Sequence, residues 1–128
     1  MRFLLDTHTL IWYYQTSPKL STTARALIDD PLNQIEISPA SYWEVAIKFS
    51  TQKSLLHVPF SAFVQGAIYD NGFAILSIEP RHCERLISLP FHHKDPFDRL
   101  LIAQALAEGI PIVSADAAFD AYGVARLW

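Results

Sequence analysis

The chain reads as an α/β domain built around a mostly parallel sheet of about five strands. Short apolar runs bounded by turn residues alternate with helical patterns along its 128 residues. The apolar runs lack strict polar alternation, as expected of strands covered by helices on both faces. Composition agrees: 51% hydrophobic against 18% charged residues is enough to build a sizeable core. Residues 1–128 are expected to form a single domain.

The elements follow in order. Phe3-Leu4-Leu5 predicts a short buried strand, with a helix over 7–14 opening directly after it. Residues 21–30 have helical spacing, with Ala24, Leu27 and Ile28 on one side and Pro31 as the stop. A brief strand at 34–37 precedes a helix begun by Ser38-Pro39 and running to about Phe49, since proline is tolerated in a first turn. Residues 50–59 read as an irregular loop. A helix at 60–69, the Asn71-Gly72 turn and a strand at 73–76 come next. A helical stretch at 80–89 is followed by a strong helix from Asp95-Pro96 to Gly109. A strand at 111–113, a short helix at 117–121 and a last strand at 124–127 complete the reading. There is no internal repeat, low-complexity tract or interdomain linker.

Several classes are disfavoured. The single Cys83 excludes an internal disulfide and is too few for a thiolate zinc site. The first apolar run is broken at once by Asp6 and is too short for a signal peptide. No apolar stretch approaches membrane-spanning length. A soluble, cytoplasmic protein is expected. Ten Lys and Arg against 13 Asp and Glu give a net charge of −3. A module that only grips nucleic-acid phosphates is usually basic, so this balance weighs against one. It is compatible with a nuclease that meets phosphate through bound divalent cations.

Ligands of parallel α/β sheets bind beyond the carboxyl ends of the strands. Asp6 directly follows the first strand, and Asp116 follows the strand at 111–113 after Ser114-Ala115. Glu44 lies in the early turns of the helix after the strand at 34–37, and Asp98 in the first turn of the helix at Pro96. The expectation is one acidic pocket. Each acid alone has a plainer reading. Asp6 and Asp116 suit helix N-caps, Ser41-x-x-Glu44 has the form of a capping box, and Asp95-x-x-Asp98 resembles one. Acids also complement a helix N-terminus. Convergence argues for more, because Ser, Thr or Asn would cap equally well without gathering like charge. Close carboxylates repel unless protonated or bridged by a cation, and hard oxygen ligands favour Mg²⁺ or Mn²⁺. His8, His57 and His82 are isolated and read as surface or core-edge residues. His92 and His93 are adjacent, with no need to face the same way. The pattern contains no G-x-S-x-G elbow or P-loop, and Ser114 lacks a placed histidine for a serine triad. Carboxylate-held Mg²⁺ suits phosphodiester hydrolysis.

The segments 4–10 (Leu-Leu-Asp-Thr-His-Thr-Leu), 38–44 (Ser-Pro-Ala-Ser-Tyr-Trp-Glu), 93–105 (from His-Lys-Asp-Pro-Phe-Asp-Arg to Ala105) and 114–119 (Ser-Ala-Asp-Ala-Ala-Phe) occur in this order. Together they resemble a PIN domain, specifically a VapC-type toxin ribonuclease, over nearly the whole chain. Asp-Pro-Phe-Asp-Arg is the most specific part. The resemblance implies a three-layer α/β/α fold, dependence on Mg²⁺ or Mn²⁺, RNA cleavage, a homodimer and a partner antitoxin that blocks the acidic site. By motif position Asp6, Glu44, Asp98 and Asp116 match the family's four acids as catalytic and metal-holding residues. Asp95 is a secondary candidate read chiefly as a helix cap. Thr7 and Ser114 are candidates for hydrogen-bond support, with turn and cap chemistry as the plainer reading.

Lys94 and Arg99 are read as phosphate contacts or, equally well, as solvated positions. The loop at 50–59, with Lys53, Leu55, Leu56 and Val58, is a candidate partner or dimer surface, although small apolar loop residues usually pack beneath their own loop. Trp12, Tyr13, Tyr14 and Trp43 suit base stacking, but their helical spacing favours core. Two other functions compete. A haloacid-dehalogenase-type phosphatase also has an aspartate after its first strand, but needs a second two positions on, where this chain has His8. A catalytically silent binding module would use the acids only as caps.

Overall fold

The computed structural model describes residues 1–54 and 56–128. Five strands form one parallel sheet: β1 (Arg2–Leu5), β2 (Gln34–Ile37), β3 (Ala74–Ile75), β4 (Ile112–Val113) and β5 (Arg126–Leu127). Their order is β3-β2-β1-β4-β5. The helices are α1 (Thr7–Tyr14), α2 (Thr22–Asp29), α3 (Pro39–Ser50), α4 (Phe60–Val64), α5 (Pro80–Ile87) and α6 (Pro96–Glu108). A π-helical turn, Gln65–Tyr69, continues α4, and a 3-10 turn, Ala117–Tyr122, lies between β4 and β5.

Side chains on β1 alternate between two cores. Phe3 and Leu5 join Leu10, Ala24, Ile28, Val45 and Phe63 on one face. Leu4 joins Leu101, Ile102, Ala105 and Phe119 on the other. That is the pleat of a strand buried on both sides, and it yields the three layers that the resemblance implies. The central strand therefore reads as an unbroken apolar run. Burying side chains such as Leu4 or Leu10 stabilises the fold by roughly 1.5–3 kcal/mol each.

The chain leaves β1 toward β2 and β3, then returns across the sheet to β4 and β5. The reversal lies between β1 and β4, paired as Leu4 with Ile112 and Leu5 with Val113. A crevice at the carboxyl ends of these strands is where this topology places ligands. The two strands stay joined there by the Asp6 N–H donating to the Val113 carbonyl at 3.2 Å.

Strand ends shift by one or two residues from expectation, and three local readings are corrected. The helix expected over 60–69 divides into α and π segments. Ser41 does not begin a capping box: Ser38 is the α3 N-cap, accepting from Ala40 N–H, while Ser41 is buried inside the helix. His82 is fully buried rather than at a surface or core edge.

Candidate active site at the sheet edge

Three N-caps shape the site. Asp6 Oδ1 accepts from Thr9 N–H at 2.8 Å, and its Oδ2 receives the Ser114 hydroxyl at 2.5 Å. Asp116 Oδ1 accepts from Ala118 N–H at 3.0 Å. Asp95 Oδ1 accepts from Phe97 and Asp98 N–H at 2.8 and 3.2 Å, so the cap reading of Asp95 holds. Capping and site-building coincide here because a helix that starts at a strand end must cap its orphan N–H groups there.

Asp98 and Glu44 have no capping role. Asp98 sits in the first turn of α6, and its carboxyl is pushed up to about 7, chiefly by burial and then by the charge of Asp95. Asp6 and Glu44 push in the same direction, while His93 opposes them. The charges of all these groups therefore meet at Asp98. Glu44, on the α3 face toward the site, has Lys48 one turn on at 3.6 Å. With the lysine side chain still largely in solvent and the contact long, this i,i+4 pair contributes little.

The supporting residues divide. Ser114 is buried, bridges to Asp6 and accepts from the Asp116 N–H at 3.0 Å. Thr7 is also buried, but its hydroxyl donates to Ser41 Oγ at 3.0 Å, joining the starts of α1 and α3 and touching none of the acids by hydrogen bond. His93 was not singled out from sequence. Its Nε2 lies 3.2 Å from Asp98 Oδ2 and 3.3 Å from Asp116 Oδ2. The only available signal was its place two residues before the Asp95 cap.

Other expectations need correction. Arg99 neither faces phosphate nor is solvated: it is buried, donates to the Pro90 and Leu89 carbonyls, and lies 4.0 Å from the Phe91 ring centroid. It clamps the 89–91 segment. Lys94 is exposed. Trp43 is 59% exposed and edge-on to Phe97, so it is not core, while Trp12, Tyr13 and Tyr14 are partly buried against the α1 side core. Of the loop at 50–59, Leu56 and Val58 pack against that same core; Leu55 lies outside the described residues.

The opposite end of the sheet supplies a control. Glu36 and Glu108 are also poorly exposed acids, but Arg2 binds both, at 2.7 Å to Glu36 and 3.0 Å to Glu108. Glu108 also meets His82 and Arg81 and is lowered to about 2, first by the His82 hydrogen bond. Where an acid is structural, this fold gives it cations. At the other edge Asp98 is raised by burial and by the charges of Asp95, Asp6 and Glu44, with His93 opposing them. The donor set there is carboxylate oxygen, which fits Mg²⁺ or Mn²⁺ in both charge and hardness.

Comparison with known proteins agrees with this architecture. The PIN domain family model matches residues 3–125. The chain resembles VapBC2 from Rickettsia felis, solved bound to a DNA fragment from their promoter, with TM-score 0.75 and 16% identity over 100% of this chain and 99% of that one. DNA-bound VapBC from Salmonella typhimurium gives TM-score 0.75 and 19% identity over 99% and 97%. FitAcB from Neisseria gonorrhoeae gives 0.67 and 16% over 98% and 96%. No curated protein sequence matches. At these identities the solved structures speak for the fold.

Proposed function

Because the chain belongs to the PIN domain family, we propose that it is a divalent-cation-dependent endoribonuclease, acting as the toxin of a toxin–antitoxin pair. The observation that carries this reading is the contrast between the two sheet ends. The poorly exposed acids are paired with Arg2 and Arg81 at one end, and at the other Asp98 sits among carboxylates with His93, and no arginine or lysine, acting on it. Asp6, Glu44, Asp98 and Asp116 would hold Mg²⁺ or Mn²⁺. When bound, the ion supplies Lewis-acid activation of the phosphodiester and of the attacking water.

The chain's own residues do the positioning. Thr9 N–H and the Ser114 hydroxyl fix the Asp6 carboxylate from two sides. Ala118 N–H fixes one oxygen of Asp116 and leaves the other facing the crevice side. Asp98 must lose its proton before it can serve as an anionic ligand, and a cation beside it favours that loss. The negative cluster would repel RNA phosphate without such a cation, which is why an acidic protein can act on a polyanion.

The antitoxin is proposed from the family resemblance and from the shape beside the acids. A depression at Asp6 and Asp116 shares His8 and Trp12 with a neighbouring groove of about 330 Å³, lined also by Ile11, Val45 and Leu56. A protein segment lying in that groove could bring a basic side chain to the carboxylates and block them. A homodimer and a cytoplasmic setting belong to the same proposal; no helix among the described residues is long and apolar enough to cross a membrane.

The test is single-stranded RNA cleavage in Mn²⁺ by the wild type and Asp98→Asn. The variant should keep its fold by circular dichroism and lose cleavage by at least about a hundredfold, in line with losing a metal-holding group. Undiminished cleavage by folded Asp98→Asn would overturn the assignment.

A further inference from the structure

His93 joins two of the proposed metal-holding acids, and its second ring nitrogen decides what it does there. His93 Nδ1 accepts the Asp95 backbone N–H at 3.1 Å. An accepting Nδ1 carries no proton, so the neutral ring bears its proton on Nε2. That Nε2 is the atom 3.2 Å from Asp98 Oδ2 and 3.3 Å from Asp116 Oδ2. It faces both carboxylates as a donor.

The three groups could be taken for a metal-binding triplet, because their ligand atoms all lie within 4.8 Å of one another. Hydrogen bonding argues otherwise. Coordination needs the Nε2 lone pair, and Nε2 has none to offer while Nδ1 is engaged by Asp95 N–H. The ring is also held in place. The His93 backbone N–H donates to the Tyr122 hydroxyl at 2.7 Å, and the ring packs edge-on against Phe119.

The fold uses the same device elsewhere. His82 Nδ1 accepts the Glu79 N–H at 3.0 Å, and its Nε2 lies 3.0 Å from Glu108 Oε2. There the histidine caps the start of α5 and holds a carboxylate.

We propose that His93 is a positioning residue of the site: its Nε2–H orients the Asp98 and Asp116 carboxylates toward their shared cation, and it does not itself ligate that cation. The proposal rests on reading the acids as a cation site. It also explains the Asp95-x-x-Asp98 spacing. Asp98 does not return to the Asp95 N–H as in a capping box; His93 Nδ1 takes that N–H, leaving the Asp98 carboxylate for the crevice.

The test is ¹⁵N NMR of the histidine rings in the intact chain, metal-free and with Mg²⁺, alongside Mn²⁺ binding by calorimetry. The expected result is a His93 signal of the Nε2–H tautomer that remains protonated in saturating Mg²⁺. His93→Phe should weaken Mn²⁺ binding by about 10- to 100-fold, the usual cost of losing a partner that orients a metal-holding group. His93→Gln, which keeps an N–H donor, should recover most of that loss. Loss of the Nε2 proton on adding Mg²⁺, an Nδ1–H tautomer in the metal-free protein, or wild-type Mn²⁺ affinity in His93→Phe would each overturn the proposal. A wild type that keeps the Nε2–H tautomer but binds neither ion would instead overturn the cation-site reading, and with it a role for His93 toward a cation.

Discussion

Asp98 is the residue at which the site's electrostatics become measurable. Its carboxyl is raised from 3.8 to about 7, first by burial and then by Asp95. A raised acid binds more protons in the folded state than in the unfolded one, so its contribution to metal-free stability falls as pH rises from about 4 to about 7. With the side chain still 23% exposed, solvent screening leaves about 1–2 kcal/mol of that effect. Asp98→Asn should flatten this fall and raise the metal-free Tm at pH 8 by roughly 3–6 °C, read from thermal melts across pH. Divalent-ion affinity of the wild type should rise over the same window, because binding displaces the Asp98 proton. A second prediction concerns Ser114. Ser114→Ala removes the hydroxyl that reaches Asp6 and takes the Asp116 N–H. It should cost about 1–2 kcal/mol in chemical denaturation and lower cleavage about 10- to 100-fold.

At the scale of elements, the acids' positions follow from where helices start. Asp6, Asp95 and Asp116 cap α1, α6 and the 3-10 turn, so a cap pattern in the sequence already marked three corners of the site. It could not separate cap from ligand. Asp95 tests the distinction: Asp95→Ala should cost about 1 kcal/mol for the lost cap. Asp95→Asn keeps the cap, removes the charge and should lower the Asp98 pKa, which NMR titration of the metal-free protein would read. The strands were legible because each is a short apolar run beside a turn. Their edges were less so, because β3, β4 and β5 are each two residues long. The Ser41-x-x-Glu44 pattern misled because Ser38-Pro39, already read as the helix start, supplies the cap and leaves Ser41 buried inside α3. His93 was not singled out and Arg99 was misread as a phosphate contact or a solvated position, because their roles depend on tertiary partners: the Asp95 N–H in one case, the Leu89 and Pro90 carbonyls in the other.

At the scale of the whole molecule, one parallel sheet separates two treatments of buried charge. Around Arg2 the acids are paired and serve the fold. Around Asp98 they are gathered, and among the described residues Asp98 has His93 beside it but no arginine or lysine acting on it. The sequence made the second group visible through its position after strands, but hid the first, since Glu36 sits within an apolar strand and finds Arg2 only through β1–β2 pairing. That polarity underlies the central claim that Asp6, Glu44, Asp98 and Asp116 form a cation site for RNA hydrolysis. The most direct measurement strips the purified protein with chelator, then follows cleavage of single-stranded RNA as Mn²⁺ or Mg²⁺ is restored, beside Asp6→Asn. The account predicts no cleavage in chelator, recovery with either ion in the wild type, and none in the folded Asp6→Asn variant. Full cleavage in excess chelator, or equal recovery by Asp6→Asn, would contradict it.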